Sequence, residues 1–268
     1  MKVFGKTIVL TGAGSGMGRE ICLLLLKKGA RVAAVDLNEA SLKETAVLAG
    51  DTQGSLTLHV LNITDRAAVL ALPEAVIKAH GQVDGLINNA GIIQPFVRIN
   101  DLEFKDIERV FNVNFWGLMN MTKAFLPHLL KRPTAHIVNT SSMGGFLPVP
   151  GQTAYGSSKA AVKLFTEGLN SELLDTNIRV SAVFPGAIAT NISVNSGVAM
   201  ANMEKSADAA KFKMTTAPAA AAIIVDGIEK DKYHIFVGQD SKMMDFLTRL
   251  IPERAAKIIY SQMRSLLK

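Results

Sequence analysis

A tyrosine and a lysine stand four residues apart in this chain, at Tyr155 and Lys159. On a helix, side chains at this spacing lie on one face with Cβ atoms about 5–6 Å apart, so the ammonium faces the phenol. At about 5 Å and an effective dielectric constant of about 20, a unit charge is worth about 3 kcal/mol and lowers a phenol pKa by roughly two units. The pair therefore predicts an acid/base that works near neutral pH. Because any helix can carry such a pair by chance, its context decides the interpretation.

The second chemical signal is a glycine-rich turn between a predicted strand and a predicted helix. Glycines at alternate positions let the backbone approach a pyrophosphate at the positive N-terminus of the helix. Strand, turn, helix and second strand follow in the order that a dinucleotide site requires. The cofactor contacts predicted in this turn are Gly12, Gly14, Ser15, Gly16, Met17 and Gly18.

Asp36 closes the second predicted strand, 18 residues after Gly18. A carboxylate at this place accepts hydrogen bonds from both hydroxyls of the adenosine ribose and repels a 2′-phosphate, so the cofactor predicted is NAD rather than NADP. Leu37 follows, and the glycine-rich turn holds no basic side chain for that phosphate. The alternative interpretation is that Asp36 caps the helix that follows it.

Polar and small residues follow the third and fourth predicted strands. The carboxyl ends of parallel strands border the ligand crevice of a doubly wound sheet, so cofactor contacts are expected there as well. After the third strand, Asn62 and Ile63 are predicted near the adenine. After the fourth strand, the predicted contacts are Asn89, Ala90 and Gly91.

Short β-rich runs alternate with longer helical patterns along the chain, which predicts a parallel sheet with crossover helices. The fold class expected is α/β, a doubly wound Rossmann-type parallel sheet of about seven strands flanked by helices, with a C-terminal helical extension. Pro73 conflicts with the third helix because it removes a backbone donor, so a kink or a late start is expected there. The predicted strands cover residues 7–10, 31–36, 56–61, 85–88, 135–140, 178–184 and 234–237, and the helices 17–28, 39–49, 65–80, 103–130, 153–174 and 217–230.

The composition of the chain limits the classes of protein to which it can belong. The chain has 268 residues, of which 49% are hydrophobic and 19% charged, and this predicts a single folded domain over residues 1–268. No apolar run reaches the ~20 residues of a membrane span. Cys22 is the only cysteine, so a disulfide within the chain is impossible and a cytoplasmic location is expected. The net charge is +6, but the basic residues are dispersed, and neither a nucleic-acid partner nor a metal is predicted.

Together these motifs resemble the short-chain dehydrogenase/reductase family, in its branch with TGxxxGxG and YxxxK. The resemblance covers about residues 3 to 240 and includes NNAG, an upstream Asn and Ser, and a PG turn. It implies hydride transfer between a nicotinamide and an alcohol or carbonyl. It also implies that Tyr155 and Lys159 contact the cofactor, and that the PG turn wraps the nicotinamide through Pro185, Gly186, Ile188 and Thr190.

The same resemblance assigns two further catalytic residues. Ser142, thirteen residues before Tyr155, holds the substrate oxygen, and Asn114 holds a water that links Lys159 to solvent. Ser141 and Asn112 are the neighbouring alternatives. Since side chains alternate along an extended chain, only one of the two adjacent serines is expected to face the crevice.

The function predicted is NAD(H)-dependent interconversion of a secondary alcohol and a ketone, with physiological direction and substrate identity left open. Met200, Met203, Phe212 and Met214 lie in a predicted substrate lid over residues 190–216 and favour a lipophilic small molecule, although such residues equally suit covering the core. Two alternatives remain: an NAD-using epimerase or dehydratase of the extended branch, and a non-catalytic dinucleotide-binding protein.

The C-terminal tail, residues 239–268, is predicted to form two helices broken near Pro252. Its apolar residues recur at helical spacing, which predicts packing on the protein itself or on a partner subunit, with a peripheral membrane contact as the alternative. A homodimer or homotetramer is expected from the family resemblance.

Overall fold

The computed structural model describes residues 1–190, 192–198, 214–264 and 267. Within these residues, seven strands form one parallel sheet: β1 (Thr7–Thr11), β2 (Arg31–Asp36), β3 (Leu56–Val60), β4 (Gly85–Asn88), β5 (Ala135–Thr140), β6 (Ile178–Pro185) and β9 (His234–Val237). Their order across the sheet is β3-β2-β1-β4-β5-β6-β9. Two short strands, β7 (Ile188–Ala189) and β8 (Thr215–Thr216), pair with each other outside that sheet.

The strand order reverses at β1, which has β2 on one side and β4 on the other. In a doubly wound sheet a ligand crevice opens at this reversal, at the carboxyl ends of the strands. The register aligns Thr11 at the end of β1 with Val35, the residue before Asp36. The glycine-rich turn and Asp36 therefore emerge side by side, and the predicted fold class is confirmed.

The central strands β1, β4 and β5 are buried along their whole length, because helices cover both faces of the sheet. The helices are α1 (Gly16–Lys27), α2 (Glu39–Ala49), α3 (Arg66–His80), α4 (Phe104–Phe111), α5 (Leu118–Leu129), α6 (Thr153–Glu172), the single turn α7 (Ile192–Asn195), α8 (Ala217–Glu229), α9 (Gln239–Leu250) and α10 (Pro252–Met263). One large apolar core lies under α1 and α8, and another lies under α3, α5 and α6.

The helix predicted over 103–130 is not uniform. A π-helical segment, Asn112–Gly117, separates α4 from α5. Such wider turns occur mostly as short interruptions of α-helices and are frequent at functional sites. This segment carries the predicted catalytic residue Asn114.

Of the two outcomes predicted at Pro73, a kink or a late start of α3, the late start is wrong. The helix begins at Arg66, since the Asp65 side chain accepts a hydrogen bond from the Ala68 N–H at 3.1 Å and caps its first turn. It continues through Pro73 to His80. Pro73 removes one backbone donor, but its ring is buried in the core, and this burial offsets part of that loss.

The tail forms α9 and α10, with Pro252 at the first position of the second helix, as predicted. These helices pack on the chain itself, around Leu147, Met244 and Ile259, with Met143 and Phe146 against this cluster. In the part of the chain that the structure describes, no helix has the length and apolar character to cross a bilayer.

Most of the predicted lid, including Met200, Met203 and Phe212, lies outside the described residues. Met214 is exposed.

Candidate active site

A cavity of about 930 Å³ opens at the carboxyl ends of the central strands. The structure brings the predicted site residues together there. Gly14 and Asn114 do not line the cavity, but both are hydrogen-bonded to residues that do. The predicted residues that line it are Gly12, Ser15, Gly16, Met17, Gly18, Asp36, Leu37, Asn62, Ile63, Asn89, Ala90, Gly91, Ser142, Tyr155, Lys159, Pro185, Gly186, Ile188 and Thr190.

Tyr155 and Lys159 lie one turn apart on α6, as their spacing predicts. The Lys159 Nζ is 6.0 Å from the centroid of the Tyr155 ring. It donates a hydrogen bond of 2.9 Å to the carbonyl oxygen of Thr140, the last residue of β5. The amine is thus fixed between the sheet and the phenol, in the wall of the cavity.

The pKa of Tyr155 differs from the predicted direction. Burial raises it above its usual value, and a hydrogen bond with the Ser142 side chain acts in the opposite sense. Burial also lowers the pKa of Lys159 to about 8. Both shifts have one cause, because the loss of water penalises the charged form of each group. The phenol is therefore protonated at neutral pH, which is the state of a proton donor.

The lowered pKa of Lys159 gives a testable pH dependence of stability. From about pH 8 towards the usual lysine value of 10.5, the unfolded chain keeps a proton that the folded chain has released. Unfolding then takes up a proton, so the free energy of unfolding rises with pH, by up to about 3 kcal/mol. Urea denaturation without coenzyme, compared between wild type and Lys159→Met, isolates this rise. A difference between the two that stays constant from pH 8 to pH 10 would contradict the lowered pKa.

The two adjacent serines at the end of β5 have different partners. The Ser141 hydroxyl donates to the Lys159 carbonyl oxygen at 2.7 Å, and the residue is buried. The Ser142 hydroxyl accepts the Gly144 N–H at 3.0 Å and is hydrogen-bonded to Tyr155. Ser142 is therefore the serine whose hydroxyl lies beside the phenol, in agreement with the spacing argument.

Asn114 is fully buried behind the cavity wall. Its Oδ1 accepts the Ile92 N–H at 2.9 Å, and its Nδ2 donates to the Ile92 carbonyl oxygen and the Ser158 hydroxyl, each at 3.0 Å. A Cβ added at Gly91 would lie 3.1 Å from the Lys159 Nζ and 3.2 Å from the Asn114 Oδ1. The amine and the amide therefore converge on Gly91. Asn112, the alternative, is exposed.

The glycine-rich turn has the geometry of a pyrophosphate cradle. Gly12 and Gly16 have φ values of +69° and +52°, which favour glycine. A Cβ at Gly18 would overlap the Gly12 carbonyl oxygen. Helix α1 begins at the cavity, and its first turn carries no acidic side chain, so its positive N-terminus is available to an anion. These features fit the pyrophosphate of a dinucleotide.

The carboxylate of Asp36 is oriented by backbone donors. Its Oδ2 accepts the Gly14 N–H at 2.9 Å and its Oδ1 the Asn38 N–H at 3.0 Å. The cap of α2 is Asn38, whose side chain accepts the Ser41 N–H, so the capping alternative for Asp36 is wrong. Free lone pairs on both carboxylate oxygens can still accept ribose hydroxyls.

Basic groups are scarce near Asp36. The guanidinium of Arg19 donates to the Gly14 carbonyl oxygen at 2.6 Å and pairs with Glu44 at 2.7 Å. Among the described residues, Lys159 is the only lysine or arginine that lines the cavity.

Gln94 is a residue of the site that sequence reasoning missed. It is fully buried, and its Oε1 accepts the Tyr155 N–H at 2.9 Å. Its Nε2 donates to the Gly151 carbonyl oxygen at 2.9 Å, and its own carbonyl oxygen accepts from the Gln152 Nε2. Gln94 thus ties the loop after β4 to the first turn of the catalytic helix. The only signal in the sequence was its place three residues after the NNAG motif.

Asn195 was also missed. It lies in the single turn α7 and donates from Nδ2 to the Ser15 hydroxyl at 2.8 Å. This contact connects the segment after β7 to the glycine-rich turn, and both residues line the cavity.

Comparisons with known proteins agree with this geometry. A family model described as short chain dehydrogenase matches residues 6–200. The chain is 38% identical over 262 residues to the putative oxidoreductase SadH of Mycobacterium tuberculosis, covering 95% of this chain and 94% of that protein. A short chain dehydrogenase/reductase from Burkholderia phymatum, solved in complex with NAD, has a TM-score of 0.85 at 26% identity and covers 95% of this chain and 96% of its own. A short chain dehydrogenase from Burkholderia cenocepacia, solved with NADP, shares the fold with a TM-score of 0.80 at 23% identity, covering 97% and 99%.

Proposed function

This chain belongs to the short-chain dehydrogenase family of oxidoreductases, and on that premise we propose that it uses NAD(H) to interconvert a secondary alcohol and a ketone. One observation carries the proposal. Tyr155, Ser142 and Lys159 line the same cavity as the glycine-rich turn and Asp36. A proton donor therefore faces the space that a dinucleotide held at the turn would reach.

Each side chain of the site has a separate role in the proposed reaction. When bound, the nicotinamide supplies or accepts the hydride. In reduction, the Tyr155 hydroxyl gives its proton to the carbonyl oxygen as the carbonyl carbon gains that hydride, while Ser142 hydrogen-bonds the same oxygen. Lys159, which lines the cavity, would hold the nicotinamide ribose through its amine. Because burial keeps the Tyr155 pKa high, the protonated phenol serves the reductive direction.

A preference for NAD over NADP is supported by charge at the adenosine end of the cavity. Asp36 lines this end with its carboxylate, whereas the Glu39 carboxylate at the same end is paired with Lys43. A 2′-phosphate placed there would meet a carboxylate in place of the arginine that accommodates it in NADP sites. The basic side chain nearby in sequence, Arg19, is already bound to Gly14 and Glu44.

A lipophilic substrate is supported by aliphatic side chains in the wall of the cavity. They line it together with the polar groups of Ser142 and Tyr155. An apolar surface with a few placed polar groups is typical of a small-molecule site. The aliphatic residues are Ile92, Ile93, Val113, Ile188 and Ile192.

The test is a panel of methyl ketones of increasing chain length with NADH or NADPH, followed by the loss of reduced-nicotinamide absorbance. We expect turnover with NADH that improves with chain length and is lost in Ser142→Ala. Binding of NADH without turnover of any ketone, or of any secondary alcohol with NAD, would favour the non-catalytic alternative. Epimerisation of a sugar nucleotide without net coenzyme turnover would favour the extended-branch alternative.

A further inference from the structure

The first turn of the tail helix α9 is hydrogen-bonded to the end of β6. The Asp240 Oδ2 accepts the Ala187 N–H at 3.0 Å. The Ser241 hydroxyl donates to the Phe184 carbonyl oxygen at 2.7 Å, and Ser241 is fully buried. These two bonds bracket the Pro185-Gly186 turn, whose residues line the cavity. The tail therefore contacts the backbone that borders the predicted nicotinamide position.

Two glycines make room for the Asp240 carboxylate. A Cβ at Gly186 or at Gly238 would overlap its oxygens. Gly238 also has a φ of +97°, which favours glycine, so the chain can turn directly from β9 into α9. The partly buried carboxylate thus lies between the end of β6 and the end of β9.

Ala187 is held from both sides. Its N–H donates to Asp240, and its carbonyl oxygen accepts the Thr215 N–H at 2.9 Å. Asp240 itself does not line the cavity. Any effect it has on a ligand must therefore pass through the turn formed by Pro185, Gly186 and Ala187.

We propose that Asp240 is a positioning residue that fixes the Pro185-Gly186-Ala187 turn against the nicotinamide half of the coenzyme. The inference rests on the proposed function. It gives the C-terminal extension a role in the cofactor site, because the tail contributes the acceptor that the turn needs. Without this acceptor, the Ala187 N–H loses a charge-assisted hydrogen bond and the turn gains freedom.

The test compares two ligands by calorimetry. NADH contacts both halves of the predicted site, whereas ADP-ribose lacks the nicotinamide. For Asp240→Ala we expect the NADH Kd to rise about tenfold and the ADP-ribose Kd to change by less than about twofold, since one hydrogen bond to a charged group is lost on one side only. Asp240→Asn, whose amide oxygen can still accept the Ala187 N–H, should restore most of the NADH affinity.

Asp245→Ala is the matched control, because that carboxylate lies on the same helix and pairs with the exposed Arg249. It should leave both dissociation constants unchanged. The inference would be overturned if Asp240→Ala raised the Kd values of NADH and ADP-ribose equally, or if it raised neither. If Asp240→Ala does not fold, Asp240→Ser is measured against the same two outcomes. Failure of the wild-type protein to bind either ligand would instead contradict the proposed function.

Discussion

Tyr155→Phe is expected to lower kcat for ketone reduction by about 10²–10⁴-fold, the usual contribution of a general acid. The substitution removes the hydroxyl that the structure places beside Ser142, but it keeps the ring in the wall of the cavity. Coenzyme binding depends mostly on the glycine-rich turn and Asp36, so the NADH Kd should stay within about twofold of wild type. Steady-state kinetics and a fluorescence titration with NADH measure the two quantities.

Tyr233→Phe is the control for this experiment, because it also removes a phenol but at an exposed position away from the cavity. It should retain wild-type kcat. Undiminished turnover in Tyr155→Phe, with normal NADH binding, would refute the acid/base role of Tyr155.

Asp36→Ala is expected to shift the coenzyme preference from NAD(H) towards NADP(H). NAD should bind at least about 10- to 100-fold more weakly, since the loss of even one charge-assisted hydrogen bond to a ribose hydroxyl costs about 1.5–3 kcal/mol. NADP use should improve, because the carboxylate that repels the 2′-phosphate is gone. The quantity measured is the ratio of kcat/KM for NADPH to that for NADH. This ratio does not depend on the fraction of the variant that folds.

Glu39→Ala serves as the control for charge alone. Glu39 lines the same end of the cavity, but its carboxylate pairs with Lys43 at 2.7 Å at the surface. We expect the ratio of kcat/KM for NADPH to that for NADH in Glu39→Ala to stay close to the wild-type ratio. The NAD preference would have to be abandoned if wild type bound NADPH more tightly than NADH, or if Asp36→Ala left the ratio unchanged.

Most of the fold followed from local patterns. The strands were predictable because β1, β4 and β5 are buried along their whole length and appear in the sequence as short, mainly apolar runs. The π-helical segment Asn112–Gly117 was not predictable, since its residues fit an α-helical pattern and the extra residue in the turn depends on packing. The bounds predicted for α3 agree with the structure, but the late start considered at Pro73 is wrong, because the cap at Asp65 outweighs one missing donor.

In the candidate site, residues within a sequence motif could be predicted from the sequence. Residues that reach the site through contacts between distant parts of the chain could not. Gln94 is hydrogen-bonded to Tyr155, which is 61 residues further along the sequence, and Asp240 to Ala187, which is 53 residues earlier. Neither contact therefore leaves a local signal in the sequence. The pKa of Tyr155 was predicted in the wrong direction for a related reason. The spacing of Tyr155 and Lys159 predicted that the ammonium lowers this pKa, but the largest influence on it is desolvation, which depends on burial by distant elements.

The most direct test of the account is whether hydride passes from the coenzyme to a carbonyl carbon with Tyr155 as the proton donor. NADH carrying deuterium at both C4 positions of the nicotinamide is incubated with the best ketone of the panel, and the alcohol is analysed by mass spectrometry and NMR. We predict one deuterium on the carbinol carbon in wild type and about 10²–10⁴-fold less alcohol from Tyr155→Phe in the same time. An alcohol whose carbinol hydrogen comes from water, or one formed equally by both proteins, would contradict the account.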